Sequence, residues 1–250
     1  MRLLTFNTLM RGDVRPRLRV LAAALEDGDH DVVCLQEVMF RAHAALIRRI
    51  ARSYGFHACT GPVLLRGGLL LLSRLPITAS RFVRYPVTRP VRRELLMRKG
   101  VQVATVETTG GRLAVVNTHL SANHDDDWSA GNRHTPMQRA EAHRLAEVVA
   151  GIDPALPVVV AGDLNLPRTS PVLAELLVAA GLHDARAGDG EPTFRPTSRF
   201  PAPPALDHVL LRPGLTARTR LVFQAPVDLA GGRRAHLSDH YGIEAEVTSA

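Results

Sequence analysis

The stretch Pro157-Val158-Val159-Val160-Ala161-Gly162-Asp163-Leu164-Asn165 runs a fully apolar segment straight into a glycine and two polar groups. The apolar run is too short for a buried helix and rich enough in β-branched residues for a core strand. Gly162 then lets the backbone turn or a neighbour approach closely. Asp163 and Asn165 are two positions apart, so while the chain stays extended they point to the same side. A carboxylate and an amide placed that way suit orienting a water and donating to a phosphoryl oxygen; a strand-end turn in which they only cap the next element is the plainer alternative.

The same pattern recurs on both sides of this stretch. Residues 3–6 read as a strand ending on Asn7, and residues 31–37 as a buried strand ending on Glu37. Residues 101–108 and 113–118 read as a hairpin around Gly110-Gly111 whose second strand runs into His119. Further strands are expected at 69–73, 205–211 (with Asp207 inside), 215–223 and 241–247, the last preceded by Ser238-Asp239-His240. Between them lie four helical patterns. Leu18, Leu21 and Leu25 mark a helix ended by Gly28, and Ile47, Ile50 and Tyr54 mark another closed by Gly55 as a left-handed cap. A third starts at Thr135-Pro136-Met137-Gln138, with Thr135 as its cap, and runs to Gly151; a fourth starts at Pro171 and ends near Gly181. Residues 188–204 read as a surface loop. No fixed-period repeat, low-complexity tract or linker interrupts the chain, so residues 1–250 are expected to form a single α/β domain.

Composition excludes several classes. With 46% hydrophobic and 22% charged residues, neither disorder nor a fibrous chain is indicated. The net charge of +7 suits an anionic partner, but the basic residues are scattered arginines, Lys99 being the one lysine, and form no block. Cys34 and Cys59 cannot build a disulfide framework, and Cys34 sits in an apolar run as a buried thiol does. The first residues enter a strand pattern at once, and no apolar run approaches the roughly 18 residues needed to span a bilayer. A cytoplasmic location, no transmembrane segment and no obligate protein partner are expected.

Asn7, Glu37, His119, Asp163, Asn165, Asp239 and His240 thus stand at or beside strand ends, which sheets place side by side, with Asp207 inside a further strand. Oxygen ligands without cysteine suit a hard cation, Mg²⁺ with Mn²⁺ as a second choice. His208, inside an apolar strand, reads as structural, Asp125-Asp126-Asp127 as a solvated acidic loop, Trp128 as a loop anchor and Gln36 as a group orienting Glu37 or the backbone.

The segments Leu4-Thr5-Phe6-Asn7, Leu35-Gln36-Glu37-Val38, Asn117-Thr118-His119-Leu120, Gly162-Asp163-Leu164-Asn165, Leu206-Asp207-His208 and Ser238-Asp239-His240 resemble, in order, the endonuclease/exonuclease/phosphatase superfamily. The resemblance implies a deoxyribonuclease I-like, four-layer α/β/β/α sandwich with its site where the two sheets open at one edge. It implies Glu37 as principal metal ligand, helped by Asn7 and Asp239. It implies His240, held by Asp207, as the group that activates water or stabilises the transition state, Asp163 as the rival base, and Asn165 and His119 as contacts to the scissile phosphate.

Within the superfamily, the nuclease branch carries an aromatic and a carboxylate just before the strand that here starts at Gly68, where this chain has Val63-Leu64-Leu65-Arg66-Gly67. Gly67-Gly68, residues 73–77, Lys99-Gly100-Val101 and Gln138-Arg139-Ala140-Glu141 look like the neutral sphingomyelinase branch. The expected function is Mg²⁺-dependent hydrolysis of a phosphodiester, a lipid head group or small molecule ahead of nucleic acid. The alternatives are a nuclease and a catalytically silent phosphate-binding member. A nucleotide-binding module would need a glycine-rich loop after the first strand, and none is present.

Overall fold

Strands whose successive residues are apolar on both sides must be covered on both faces. In β1 (Arg2–Asn7), Leu3 enters one apolar cluster while Leu4 and Phe6 enter another. The same alternation in β8 (Val158–Asp163) sends Val159 and Ala161 one way and Val158 and Val160 the other. The computed structural model, which describes residues 1–87, 97–123, 125–198 and 200–249, satisfies both strands with four stacked layers.

One sheet has the order β11-β14-β1-β2-β4-β3. Its remaining members are β2 (Val32–Gln36), β3 (Phe56–Ala58), β4 (Leu70–Ser73), β11 (Leu215–Val222) and β14 (Gly242–Ser249). The other has the order β5-β6-β7-β8-β10-β9, built from β5 (Ile77–Arg84), β6 (Gly100–Thr108), β7 (Gly111–His119), β8, β9 (His183–Asp184) and β10 (Asp207–Leu211). The helices α1 (Val14–Asp27) and α2 (Arg41–Ile50) bury Leu18, Leu21, Leu25 and Ile47 on the first sheet. The second is covered by α3 (Thr135–Ala150) and α4 (Pro171–Ala180), through Leu145, Val149, Leu173 and Leu176. A third cluster, including Leu3, Val32, Cys34, Val115, Val159 and Val209, fills the space between the sheets. This is the α/β/β/α sandwich expected from the sequence.

Some local expectations change. Helix α2 stops at Ile50, and Gly55 neither ends it nor has a positive φ. Tyr54 turns inward instead and its hydroxyl donates to the Leu25 carbonyl at 3.3 Å. Thr135 does not cap α3: its hydroxyl donates to the Ser129 carbonyl, and His134 stands at the cap position. Helix α4 follows its signals, with Ser170 accepting from the Val172 N–H and Gly181 left-handed at φ 61°. The short β3, β9 and the hairpin of β12 (Val227–Leu229) with β13 (Arg233–Ala235) carry too few residues for a period to register. Among the described residues no helix is long and apolar enough to cross a membrane.

Candidate active site

Side chains two apart on a strand share a face, so the face of each site residue follows from its apolar neighbours. Leu3 faces the other sheet, hence so does Asn7; Val115 gives His119, Val159 gives Asp163, and Val209 gives Asp207. Four strands from two sheets therefore deliver polar groups into the same gap. His208 falls on the opposite face, where its Nδ1 meets Asp184 at 3.0 Å and its Nε2 meets the Leu166 carbonyl at 2.7 Å. It is structural, as read from the sequence.

Pairing sets the distances. In register, Asp163 lies beside His119 on β7 and beside Asp207 on β10. The Asn7 amide reaches across to donate to Asp163 Oδ2 at 2.9 Å, while Asp163 Oδ1 accepts from the Asn165 N–H at 3.0 Å. Asp207 Oδ2 meets His240 Nδ1 at 2.9 Å, and His240 Nε2 lies 3.7 Å from Asp163 Oδ2. Asp163, Asp207 and His240 are all buried. Burial raises the Asp163 carboxyl to about 7, with Asp207 adding to the rise and His240 opposing it. For His240, burial disfavours the charge, but Asp207 and Asp163 outweigh it and push the imidazole up to about 10.

Glu37 follows β2 with φ 62°, an uncommon conformation for a side chain and one that concentrates at functional sites. It turns the carboxylate out of the sheet into the mouth, where Oε2 accepts from the Met10 N–H at 2.7 Å and Oε1 stands 3.4 Å from the Asn7 amide. Asp239 lines the same cleft with its carboxylate 3.6 Å from the exposed Arg11. Glu37, Asn7 and Asp239 form an oxygen-only donor set beside one opening, suited to a hard divalent cation that keeps several waters. The tight trio Asp163, Asp207 and His240 also has cation-binding spacing, but Asp207 Oδ2 is bonded to His240 Nδ1 and Asp163 Oδ2 accepts from the Asn7 amide. The cleft, about 470 Å³, is lined by every one of the expected residues except Asp207, which backs His240 from behind.

His119 differs from an acid. Burial, then Lys99 and His240, hold its imidazole well below the usual range, so it is neutral. The Lys99 ammonium donates to its Nε2 at 3.0 Å and to the Leu120 carbonyl at 2.8 Å. The ring proton therefore sits on Nδ1, a buried atom with no hydrogen-bond partner. Asn165, left-handed at φ 51°, donates to the Leu120 carbonyl at 2.9 Å. Its own carbonyl accepts from Trp128 Nε1 at 2.9 Å and Gln138 Nε2 at 3.0 Å, so Trp128 anchors this loop.

Gln36 does not orient Glu37. It donates to Thr5 Oγ1, the Cys34 carbonyl and Asn117 Oδ1 between the sheets. Asp125 pairs with Arg133 and His134, and Asp127 accepts from the Ser129 N–H, as a self-contained loop does. Arg17 is a site-organising residue that the sequence pattern hid inside α1. It is buried, and its guanidinium donates to the carbonyls of Thr8, Leu9, Arg11 and Leu237, holding together the loops that follow Asn7 and precede Asp239. Its only sequence signal is a charge on the apolar side of a helix, next to Leu18.

Comparison with known proteins bears on the family and the fold. A model of the endonuclease/exonuclease/phosphatase family matches residues 4–240. The chain is 25% identical over 256 residues to a Drosophila melanogaster protein assigned as a neutral sphingomyelinase, covering 94% of this chain and 57% of that protein. It is 28% identical over 167 residues to the inositol phosphosphingolipids phospholipase C of Saccharomyces cerevisiae, covering 64% of this chain and 35% of that one. The chain thus spans less than two thirds of the length of either relative. Among solved structures, a Staphylococcus aureus beta toxin variant with bound magnesium ions superposes with a TM-score of 0.77 at 18% identity, covering 98% of each chain, a likeness of fold.

Proposed function

The chain belongs to the endonuclease/exonuclease/phosphatase family, and from that premise we propose that it hydrolyses a phosphodiester with a divalent cation, Mg²⁺ or Mn²⁺, its substrate being a lipid phosphodiester. The observation that carries the reading is the meeting of an oxygen-donor set, Glu37, Asn7 and Asp239, with the Asp207–His240–Asp163 chain at one cleft. A cation bound by those oxygens would supply charge neutralisation at the phosphoryl group.

The chain's own residues do the rest. Asp207 fixes the His240 ring through Nδ1 and keeps it charged, leaving Nε2 to donate to a phosphoryl oxygen as negative charge develops there. Because a protonated imidazole cannot take a proton, the base is Asp163, whose raised affinity for protons suits deprotonating water near neutral pH. His119 lines the cleft as a neutral imidazole, its Nε2 3.4 Å from Asp163 Oδ2. The Asn165 amide retains one hydrogen beyond the one given to Leu120. The lipid substrate is favoured by the two relatives, both named for sphingolipid phosphodiesters.

The test is hydrolysis by the purified protein, with Mg²⁺ or Mn²⁺, of bis-p-nitrophenyl phosphate, sphingomyelin vesicles, inositol phosphates and plasmid DNA. Chelation, Glu37→Ala and His240→Ala are each expected to lower turnover of the accepted substrate by at least about a thousandfold, the scale of losing one charge-stabilising element or more. Activity that survives Glu37→Ala sinks the cation assignment, and preference for plasmid DNA over both lipid and inositol substrates overturns the substrate class.

A further inference from the structure

Some surface arginines are paired, Arg139 with Glu175 and Arg220 with Glu244, and others stand singly. Three others are gathered at one place. Arg66, Arg84 and Arg98 line one pocket of about 250 Å³ together with Phe82, and no acidic residue among the described residues lines it. None of the three guanidinium groups has a hydrogen bond or ion pair to a described residue. Three like charges gathered at one pocket repel one another and favour an anion between them.

The same three arginines border a second, mostly apolar cavity of about 540 Å³, formed with Pro62, Val63, Leu64, Leu65 and Met97. Val63 is 66% exposed, Leu64 45% and, beside them, Phe40 46%. These three large apolar side chains come together because Phe40 and Leu64 form a β-bridge and the Arg41 N–H donates to the Val63 carbonyl at 2.8 Å. Contiguous exposed apolar residues beside unpaired cations are the mark of a surface that meets an amphiphile.

Its place in the fold ties it to the cleft. The segment bearing Val63 and Leu64 is bonded to the residues after Glu37, through Leu65 N–H to the Met39 carbonyl and Val38 N–H to the Gly68 carbonyl. Phe40 lies three residues beyond Glu37, and Met10, also exposed, bonds Glu37 from the other side.

We propose that Phe40, Val63 and Leu64 with Arg66, Arg84 and Arg98 form a docking surface for an anionic lipid bilayer, the arginines taking lipid phosphates and the apolar residues entering the interface. Charge complementarity selects this occupant. The proposal goes beyond the catalytic reading and holds whichever phosphodiester is cleaved.

The test is flotation with vesicles of phosphatidylcholine alone and of phosphatidylcholine mixed with phosphatidylglycerol. The wild-type protein is expected to partition onto the mixed vesicles and not onto the neutral ones. At about fivefold per basic residue, Arg66→Gln/Arg84→Gln is expected to weaken partitioning by about 25-fold, and Val63→Asp also to weaken it. Arg19→Gln/Arg218→Gln, an equal loss of charge at distant exposed positions, is expected to leave it within about twofold. All variants should hydrolyse the soluble bis-p-nitrophenyl phosphate at the wild-type rate, which also shows that they are folded. Equal losses in the two arginine pairs reduce the effect to net charge and overturn the proposal. So does binding to neutral vesicles alone, or binding of soluble glycerol phosphate without any vesicle binding. Vesicle binding by a protein inactive on every phosphodiester would sink the catalytic reading and leave this one standing.

Discussion

Gly162→Ala tests whether the register of two strands creates the site. Gly162 pairs with Thr118 at φ 152°, and a Cβ placed on it would stand 2.0 Å from the Thr118 carbonyl oxygen. Real Cβ atoms essentially never come closer than 3.0 Å to such an atom, so β7 and β8 would have to part by about 1 Å. That forced separation costs about 1–3 kcal/mol, and a side chain at this φ adds about 1–2 kcal/mol. Together they amount to about 2–5 kcal/mol, which for a chain of this length lowers Tm by about 4–20 °C. His119 and Asp163 are the next residues on the two strands, and a 1 Å misplacement of reacting groups costs about a hundredfold in rate. Gly231→Ala is the control, because Gly231 has φ 86° but open space around it, so only the conformational part applies. Thermal melts and turnover of bis-p-nitrophenyl phosphate read both effects. If Gly162→Ala melts no lower than Gly231→Ala and keeps its kcat within threefold, the close approach of Thr118 is wrong, and the placing of the site by this register falls with it.

Arg17→Lys replaces a fork serving four carbonyls by three hydrogens at a point, and each buried carbonyl left unpaired costs about 1–3 kcal/mol. A lower Tm is expected, with activity lost at low Mg²⁺ and regained in excess; a variant as stable and active as wild type would show that these loops need no such tie. For Asp184, burial opposes ionisation, but the His208 hydrogen bond, the Arg186 N–H and Arg168 outweigh it and hold the carboxyl below its usual value. Its stabilising contribution is present above the unfolded carboxylate pKa and is lost as pH falls through the lower folded value. Asp184→Asn should therefore be less stable at neutral pH and lose stability less steeply below about pH 4, by up to about 1.4 kcal/mol per pH unit. Urea unfolding of both proteins across the acid range decides it, since parallel curves would deny the linkage.

Much of this was legible in the sequence because strands and helices here carry unmixed periods. Leu18, Leu21 and Leu25 on α1, or Val158 to Ala161 on β8, have only one reading, and six motifs fixed the order of the site residues. Groups acting from a distance showed at most as short motif matches, with no sign of what they touch. Lys99 reaches His119 from the neighbouring strand, and Gln138 reaches Asn165 from a helix, so only the pairing of β6 with β7 and the packing of α3 disclose them. Glu37 at φ 62° turns out of its strand through a backbone conformation that no residue pattern encodes. Thr135 and Gly55 misled for a related reason. Their side-chain signals were real, but tertiary partners, the Ser129 carbonyl and the packing of Tyr54 under α1, took precedence.

The residues facing the gap between the sheets also explain how a buried site can hold so much charge. Along that face β1 reads Leu3, Thr5, Asn7; β2 reads Val32, Cys34, Gln36; β7 reads Val115, Asn117, His119; β8 reads Val159, Ala161, Asp163. Each runs from apolar to charged or amide-bearing in the same direction. Beneath the charged groups lies a chain of neutral amides bonded to one another: Gln36 to Asn117 at 2.9 Å, Asn117 to Gln102 at 3.2 Å, and Gln102 to the Ala58 carbonyl at 2.8 Å. Amides bonded this way have no freedom to slide, and a slip of one residue in any strand would turn its polar end into a helix layer. These amides therefore lock the two sheets in register and set fixed dipoles, not hydrocarbon, beneath Asn7 and Asp163. The dielectric above them is low enough to raise the proton affinity of Asp163, yet the charges rest on groups that can respond to them. A sandwich with an apolar filling throughout would bury the same carboxylates at a far greater cost, and one polar throughout would lose the cohesion of its sheets; the gradient along four strands is what lets one end of the gap be core and the other a site.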